Sequence, residues 1–253
     1  MSAEIVKARL YLYAVLHLFE ELAKRDAEAK EIIKKHSGVI QFKAPGSLAA
    51  QVEISPDGVV ATPGTDKKPT VSLFLPSVSM LNNLFEGGFT LPIPVKGLLK
   101  MGLVMKGFDP LGKRLEAYMD NVENPPGGKK GKEMVASLLM VAAIFGAAQV
   151  GNADESVKDI VKKIPDGIAF LEIKGGPSVY LKKEGTTFTA AKGKPDDYTV
   201  YLGFRDYDIA YAMFTDTLDL MAAICLGDID LSGSLAMVEQ LAVLMEKAGA
   251  YLE

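Results

Sequence analysis

Two histidines, one cysteine and a scatter of carboxylates are the residues with which this 253-residue chain could do covalent or metal chemistry. His17 stands one helical turn before Glu20 and Glu21, the spacing of a surface ion pair. His36 closes a helical stretch and reads as a partly buried helix-end residue. Neither histidine stands near a nucleophile, and the chain has no Gly-x-Ser-x-Gly elbow, phosphate loop or zinc spacing. Asp228 and Asp230 share one face of a short strand, but two carboxylates without histidine or further ligands are expected to be a solvated pair. Asp206, Asp216 and Asp219 read as caps and turn formers. Cys225, on an apolar helix face, is expected to be a small core hydrophobe. Gly175-Gly176-Pro177 is a turn, without the strand-to-helix setting of a nucleotide site. The reading is of a protein without a catalytic residue, metal or cofactor.

Composition narrows the classes further. Hydrophobic residues make up 49% of the chain, with 11 Met, 11 Phe, 9 Tyr and no Trp, so a large and pliable apolar interior is available. The net charge of −4 gives no field for nucleic acid. A lone cysteine excludes an internal disulfide, and the N-terminus lacks a basic leader. The expected setting is cytoplasmic. Met134 to Val150 is free of charge and close to the length of a membrane span, but it is rich in Ala and Gly. It is expected to be buried against the first helix or against the same helix of a second chain, with transient membrane contact as the alternative.

The elements follow from periodicity. Ser2 caps a first helix to about Lys24, apolar on a wide face, and a second runs over Ala27–Lys35. Strands are expected at Val39–Lys43, Leu48–Ile54, Val59–Thr62 and Thr70–Leu75, with a hairpin turn at Asp57-Gly58. A helix through Met80, Leu84 and Phe85 ends at Gly87-Gly88. Pro92 and Pro94 are expected to keep the next stretch irregular, before a helical piece at Lys96–Met101 and a last strand at Gly102–Lys106. A helix from Asp109 to about Asn121 closes the half. Residues 124–132, with Pro-Pro-Gly-Gly at their start, read as a linker that no element crosses.

The same order then begins again. An apolar helix over Glu133–Val150 precedes one that Asn152 and Glu155 would cap, with Val157, Ile160, Val161 and Ile164 on one face. Strands are expected at Ile168–Ile173, Val179–Lys182, Thr186–Ala190 and Thr199–Phe204, and Asp206 caps a helix through Ile209, Met213 and Phe214. Glu31-Ile-Ile-Lys-Lys matches Asp159-Ile-Val-Lys-Lys, Asp57-Gly58 matches Glu184-Gly185, Thr70-Val71 matches Thr199-Val200 and Gly107 matches Gly233. Such a succession implies an internal duplication, with one domain over residues 1–123 and another over 133–253.

The stretch from Asp219 to Gly233 passes from an apolar helix through Gly227-Asp228-Ile229 into a strand, and Ser234 caps a last helix. This order resembles the end of the sterol-transfer domain of the sterol carrier protein type-two family. Gly167-Ile-Ala-Phe-Leu-Glu-Ile, Asp197-Tyr-Thr-Val-Tyr-Leu and Asp206-Tyr-Asp-Ile-Ala-Tyr-Ala-Met-Phe look like its earlier elements. The first half is similar more loosely, through Gly38-Val-Ile-Gln-Phe, Val52-Glu-Ile-Ser-Pro-Asp-Gly and Thr70-Val-Ser-Leu-Phe-Leu, with an expanded turn before its last strand. The resemblance implies an α+β chain of two tandem sterol-carrier-like domains, each a mostly antiparallel five-stranded sheet covered by helices. It further implies non-enzymatic binding or transfer of a fatty acid, acyl-CoA, phospholipid or sterol-like ligand in an apolar cavity. Met80, Leu84, Phe85, Met101 and Met105 of the first half, and Tyr201, Met213, Leu218, Met221 and Ile224 of the second, would face that lipid. The competing expectation is an assembly protein whose cavities are filled and whose apolar helices form interfaces, including those of a homodimer.

Overall fold

The computed structural model describes residues 1–252. The chain divides into two compact units, Ser2–Ala117 and Tyr118 onward, each with its own five-stranded sheet. The division falls ahead of the expected linker, and a helix begins inside that linker at Lys129.

In the N-terminal unit α1 (Ala3–Tyr13), α2 (Leu18–Arg25) and α3 (Ala27–Lys35) precede three antiparallel strands, β1 (Gly38–Ala44), β2 (Leu48–Ser55) and β3 (Gly58–Pro63). β4 (Val71–Phe74) returns parallel to β1, α4 (Val78–Phe85) follows, and β5 (Ile93–Lys96) pairs antiparallel with β4 before α5 (Asp109–Met119). The C-terminal unit repeats the plan. Its helices are α6 (Lys129–Ala153), α7 (Lys158–Lys163), α8 (Tyr207–Phe214), α9 (Leu220–Leu226) and α10 (Leu235–Leu252). Its strands are β6 (Gly167–Ile173), β7 (Ser178–Glu184), β8 (Thr187–Lys192), β9 (Val200–Phe204) and β10 (Ile229–Gly233). The sheet orders are β3-β2-β1-β4-β5 and β10-β9-β6-β7-β8. Each sheet is therefore mixed, antiparallel except where the first strand meets the strand that follows its hairpin.

The register of the two units is tighter than the sequence matches suggest. Gly38 and Gly167, Gly46 and Gly175, Gly64 and Gly193, and the helix-capping Ser77 and Asp206 all stand 129 apart. Thr70 and Thr199 also share this spacing, and each accepts from the amide after the equivalent glycine, Val39 or Ile168. On this register Gly58 corresponds to Thr187, so the pairing of Asp57-Gly58 with Glu184-Gly185 is out by two residues. Beyond α4 the spacing changes. Gly97 and Gly233 both have positive φ, and a Cβ on either would strike the carbonyl oxygen of Thr70 or Thr199. Gly97, not Gly107, is the counterpart of Gly233, and the C-terminal unit carries the extra residues, as α9.

Three further expectations need correction. The strand expected at Gly102–Lys106 is helical, with a wide turn over Val104–Phe108, because the Phe108 ring seats itself 4.9 Å from Phe19 and 5.3 Å from Phe42. The last strand is instead the Pro92/Pro94 stretch, tolerated because β5 is an edge strand and needs fewer amide donors. The first helix breaks at Ala14, whose backbone leaves the helical region, and passes through Val15–His17 into α2.

Core side chains alternate along each strand: Ile40, Phe42 and Ala44 on β1, and Ala169, Leu171 and Ile173 on β6, all buried. α6 is long and apolar enough to cross a membrane, yet most of it is buried against α8, α10, β7 and β8 of its own unit. Asn152 does not cap a helix. It accepts from the Phe188 amide and donates to the Phe188 carbonyl on edge strand β8, both at 2.8 Å. In the N-terminal unit Glu20, hydrogen-bonded to His17 at 3.0 Å, takes the Ala61 amide of edge strand β3 at 2.8 Å.

A buried aspartate ties each last helix to the start of an earlier helical segment. Asp26 caps α3 by accepting from the Ala29 amide and takes two hydrogen bonds from Arg114 of α5. Asp154 accepts from the Ser156 amide and from Tyr251, and Lys247 of α10 stands 3.5 Å away. Burial alone would push the Asp154 carboxyl up, but the Ser156 hydrogen bonds, Tyr251 and the Lys247 charge outweigh it and hold it below the ordinary carboxylate range. A depressed folded-state pKa stabilises fully above the unfolded value of about 4 and is lost as pH falls through the folded value. Asp154→Asn is therefore expected to cost about 1–3 kcal/mol at neutral pH. It should also flatten the loss of stability on acidification below about pH 4. Urea denaturation at several pH values checks both; an unchanged acid limb would refute the assignment.

Candidate functional site

The helix side of each sheet is where an apolar ligand could lie, and the ten nominated residues divide about it unevenly. Phe204 of β9 faces the helices, with its ring 5.6 Å from Phe214 of α8. α8 is largely apolar, yet only Ala210 is buried, and Met213 is half-buried. α9, Leu-Met-Ala-Ala-Ile-Cys-Leu, carries no charge and buries only Ala223. Met221 is 59% exposed and Leu226 77%, while Leu218 and Ile224 are half-buried. Asp219 caps α9 through the Ala222 amide, and Gly227 ends it in the left-handed region, so the helix is locally well made and tertiarily open. Cys225 lies on this open surface and is not a core residue, because among the described residues no element covers its side of so short a helix. Leu235 of α10 is exposed as well.

Tyr201 belongs elsewhere. It lies on the opposite sheet face with Phe170 and Tyr198, ring centroids 5.5 and 5.6 Å away, and donates to Glu172 at 3.2 Å. Burial, reinforced by the Glu172 carboxylate, pushes its phenol up to about 12. It remains a neutral donor at any ordinary pH.

In the N-terminal unit the helix side is more closely filled. Tyr11 stacks on Phe85 at 5.3 Å, and Phe42 stands 5.6 Å from Phe85 and 5.3 Å from Phe108. Phe85 is thus tied into a run of rings, with Met80, Leu84 and Met101 half-buried near the surface and Met105 67% exposed. None of the ten nominated residues is fully buried.

Asp228 and Asp230 have cationic neighbours: Asp228 accepts from Arg205, and Asp230 stands 4.0 Å from Lys174. Among the described residues no cluster of three His, Cys, Asp or Glu could hold a metal. Sequence reasoning missed the apolar exposure around β5, at Phe89, Leu91, Ile93, Val95, Leu98 and Leu99. One signal of it was legible: between Glu86 and Asp109 the chain has no acidic residue and three lysines.

No family model matches the chain, and no curated protein matches it. Among solved structures, it is similar to the ubiquinone synthesis protein UbiJ-SCP2, at 15% identity and a TM-score of 0.31 over 39% of this chain and 81% of that one. The palmitated SCP2L2 of Aedes aegypti gives 20% identity and a TM-score of 0.27 over 36% and 88%. Sterol carrier protein 2 of Yarrowia lipolytica in its apo form gives 17% and 0.28 over 37% and 86%. Each match spans little more than a third of this chain and most of a sterol-carrier domain.

Proposed function

We propose that the chain is a non-enzymatic lipid-binding or lipid-transfer protein, and that its C-terminal unit takes the acyl or ring part of the lipid beside α8, α9 and α10. The observation that carries this reading is α9, an uncharged, capped helix of apolar residues left largely open to water. Leaving such a surface wet forgoes about 25 cal/mol per Å², which an apolar ligand would recover. The N-terminal unit suits a ligand less well, because rings occupy the corresponding space. A cytoplasmic setting accords with the single free cysteine.

Native mass spectrometry of the full chain tests the reading, since a retained lipid adds mass. Met221→Ala and Leu226→Ala should each weaken binding of a fluorescent fatty acid by about tenfold, from roughly two lost methylene contacts. Because both side chains are exposed, stability without ligand should change by no more than about 0.5 kcal/mol. A wild type that carries no lipid and binds no fatty acid would sink the reading. The uncharged α9 would then be the interface of an assembly protein.

A further inference from the structure

We propose that the N-terminal unit docks on an anionic lipid bilayer through the segment from Phe89 to Met105 and the lysine-lined groove beside it. This needs no ligand inside either unit and goes beyond the lipid-carrier reading.

Leu99 is fully exposed and Phe89 91% exposed, and Leu91, Val95, Leu98 and Met105 are each more than half exposed. Lys96, Lys100 and Lys106 are interleaved with them, and no acid interrupts the segment. Large aliphatic and aromatic side chains with only cationic companions are suited to the headgroup boundary of a bilayer, where the chains enter the acyl layer and the ammonium groups meet phosphate.

A second observation points the same way. Val95 and Lys96 also line a groove of about 430 Å³ with Lys43, Lys67 and Lys68, against a single acid, Asp66. Lys67 is paired with Glu53, but Lys43, Lys68, Lys96, Lys100 and Lys106 have no carboxylate partner among the described residues. Gln41 and Ser72 form its floor, joined at 2.9 Å. The groove is thus polar below, cationic at its walls and continuous with exposed aliphatic side chains through Val95, the arrangement that suits a phospholipid headgroup.

The fold does not impose this charge. At the positions 129 residues on, Lys43, Lys67 and Lys68 become Glu172, Asp196 and Asp197, and Gln41 and Ser72 become Phe170 and Tyr201. The same loop and strands carry opposite charge in the other unit, so the lysines are free to serve the surface rather than the sheet.

The test is co-sedimentation of the full chain with vesicles of phosphatidylcholine alone and of phosphatidylcholine with about 30% phosphatidylglycerol. Binding is expected to the anionic vesicles only, weakening as salt is raised. Each membrane-facing lysine contributes roughly fivefold, so the triple variant Lys96→Gln, Lys100→Gln, Lys106→Gln should bind up to about 100-fold more weakly. Leu98→Ser with Leu99→Ser should lose binding even at low salt. Both variants change exposed residues only, and an unchanged urea midpoint verifies their folds. Absent binding, equal binding to neutral vesicles, or undiminished binding by either variant overturns the proposal. So does salt-sensitive self-association without vesicles that the same variants abolish, which would assign the surface to a second copy of the chain. Fatty-acid binding in solution is read separately, so either conclusion can fail without the other.

Discussion

Asp26→Ala is expected to lower the stability of the N-terminal unit by about 3–5 kcal/mol. Two losses add. The cap of α3 goes, since the Ala29 amide donates to Asp26 Oδ1 at 2.8 Å. The larger loss is on Arg114, which donates to Asp26 Oδ2 from Nε at 3.0 Å and from Nη2 at 2.8 Å. Its side chain is largely buried, and the exposed Glu28 at 3.4 Å cannot replace so enclosed a partner. Asp26→Asn keeps an acceptor for the cap and should fall between wild type and alanine. Lys34→Ala breaks the exposed Lys34–Glu31 pair and should cost no more than about 0.5 kcal/mol. Urea denaturation of the three variants checks the order. An Asp26→Ala loss below about 1 kcal/mol would show that the pair adds nothing to capping.

Gly233→Ala should cost about 3 kcal/mol or more. The backbone there has φ of +95°, and a Cβ would lie 2.1 Å from the Thr199 carbonyl oxygen and 3.0 Å from the Val200 Cα. Neither obstacle can swing aside, because both are main chain of the neighbouring strand. Gly97→Ala meets the equivalent main-chain atoms, the Thr70 carbonyl oxygen at 2.2 Å and the Val71 Cα at 3.0 Å, and should cost a similar amount. Gly107→Ala should be cheaper, since its Cβ meets only side chains, His36 at 3.2 Å and Leu103 at 3.5 Å, and no positive φ is involved. Gly249, inside α10 with open space around it, is the opposite case. Alanine there should stabilise by about 0.5–1 kcal/mol through helix propensity. Thermal unfolding of the four variants tests the correspondence of the two units directly. Similar costs at Gly107 and Gly233, with little at Gly97, would undo it.

Local signals made much of the fold legible. The span Ala27–Lys35 follows directly from apolar spacing, and Ser77, Asp206, Asp219 and Ser234 each accept from the amide three residues on. The repeat was legible from order alone. Its exact register was not, because the β2–β3 and β7–β8 turns place glycine at different positions within loops of equal length. β5 was missed because proline argues against a strand unless the strand is known to lie at an edge, and that is a tertiary fact. Val104–Phe108 was misread because what makes it helical is a ring docking between Phe19 and Phe42, far away in sequence. Cys225 failed for the same reason in reverse. An apolar helix predicts burial, but whether another element covers it is decided elsewhere in the chain.

Three of the four outer strands carry devices against further pairing, and this bears on how the molecule can associate. The Asn152 side chain occupies both main-chain groups of Phe188 as a neighbouring strand would, Glu20 takes the Ala61 amide, and Pro94 removes a donor from β5. An incoming strand would have to displace an amide or a carboxylate already in place, or would meet a position with no hydrogen to offer. Growth by edge-to-edge addition, the route to fibres, is thereby obstructed along β3, β5 and β8. A chain this rich in apolar surface can then crowd at high concentration with its main chain largely shielded, leaving encounters between molecules to side chains that can let go again.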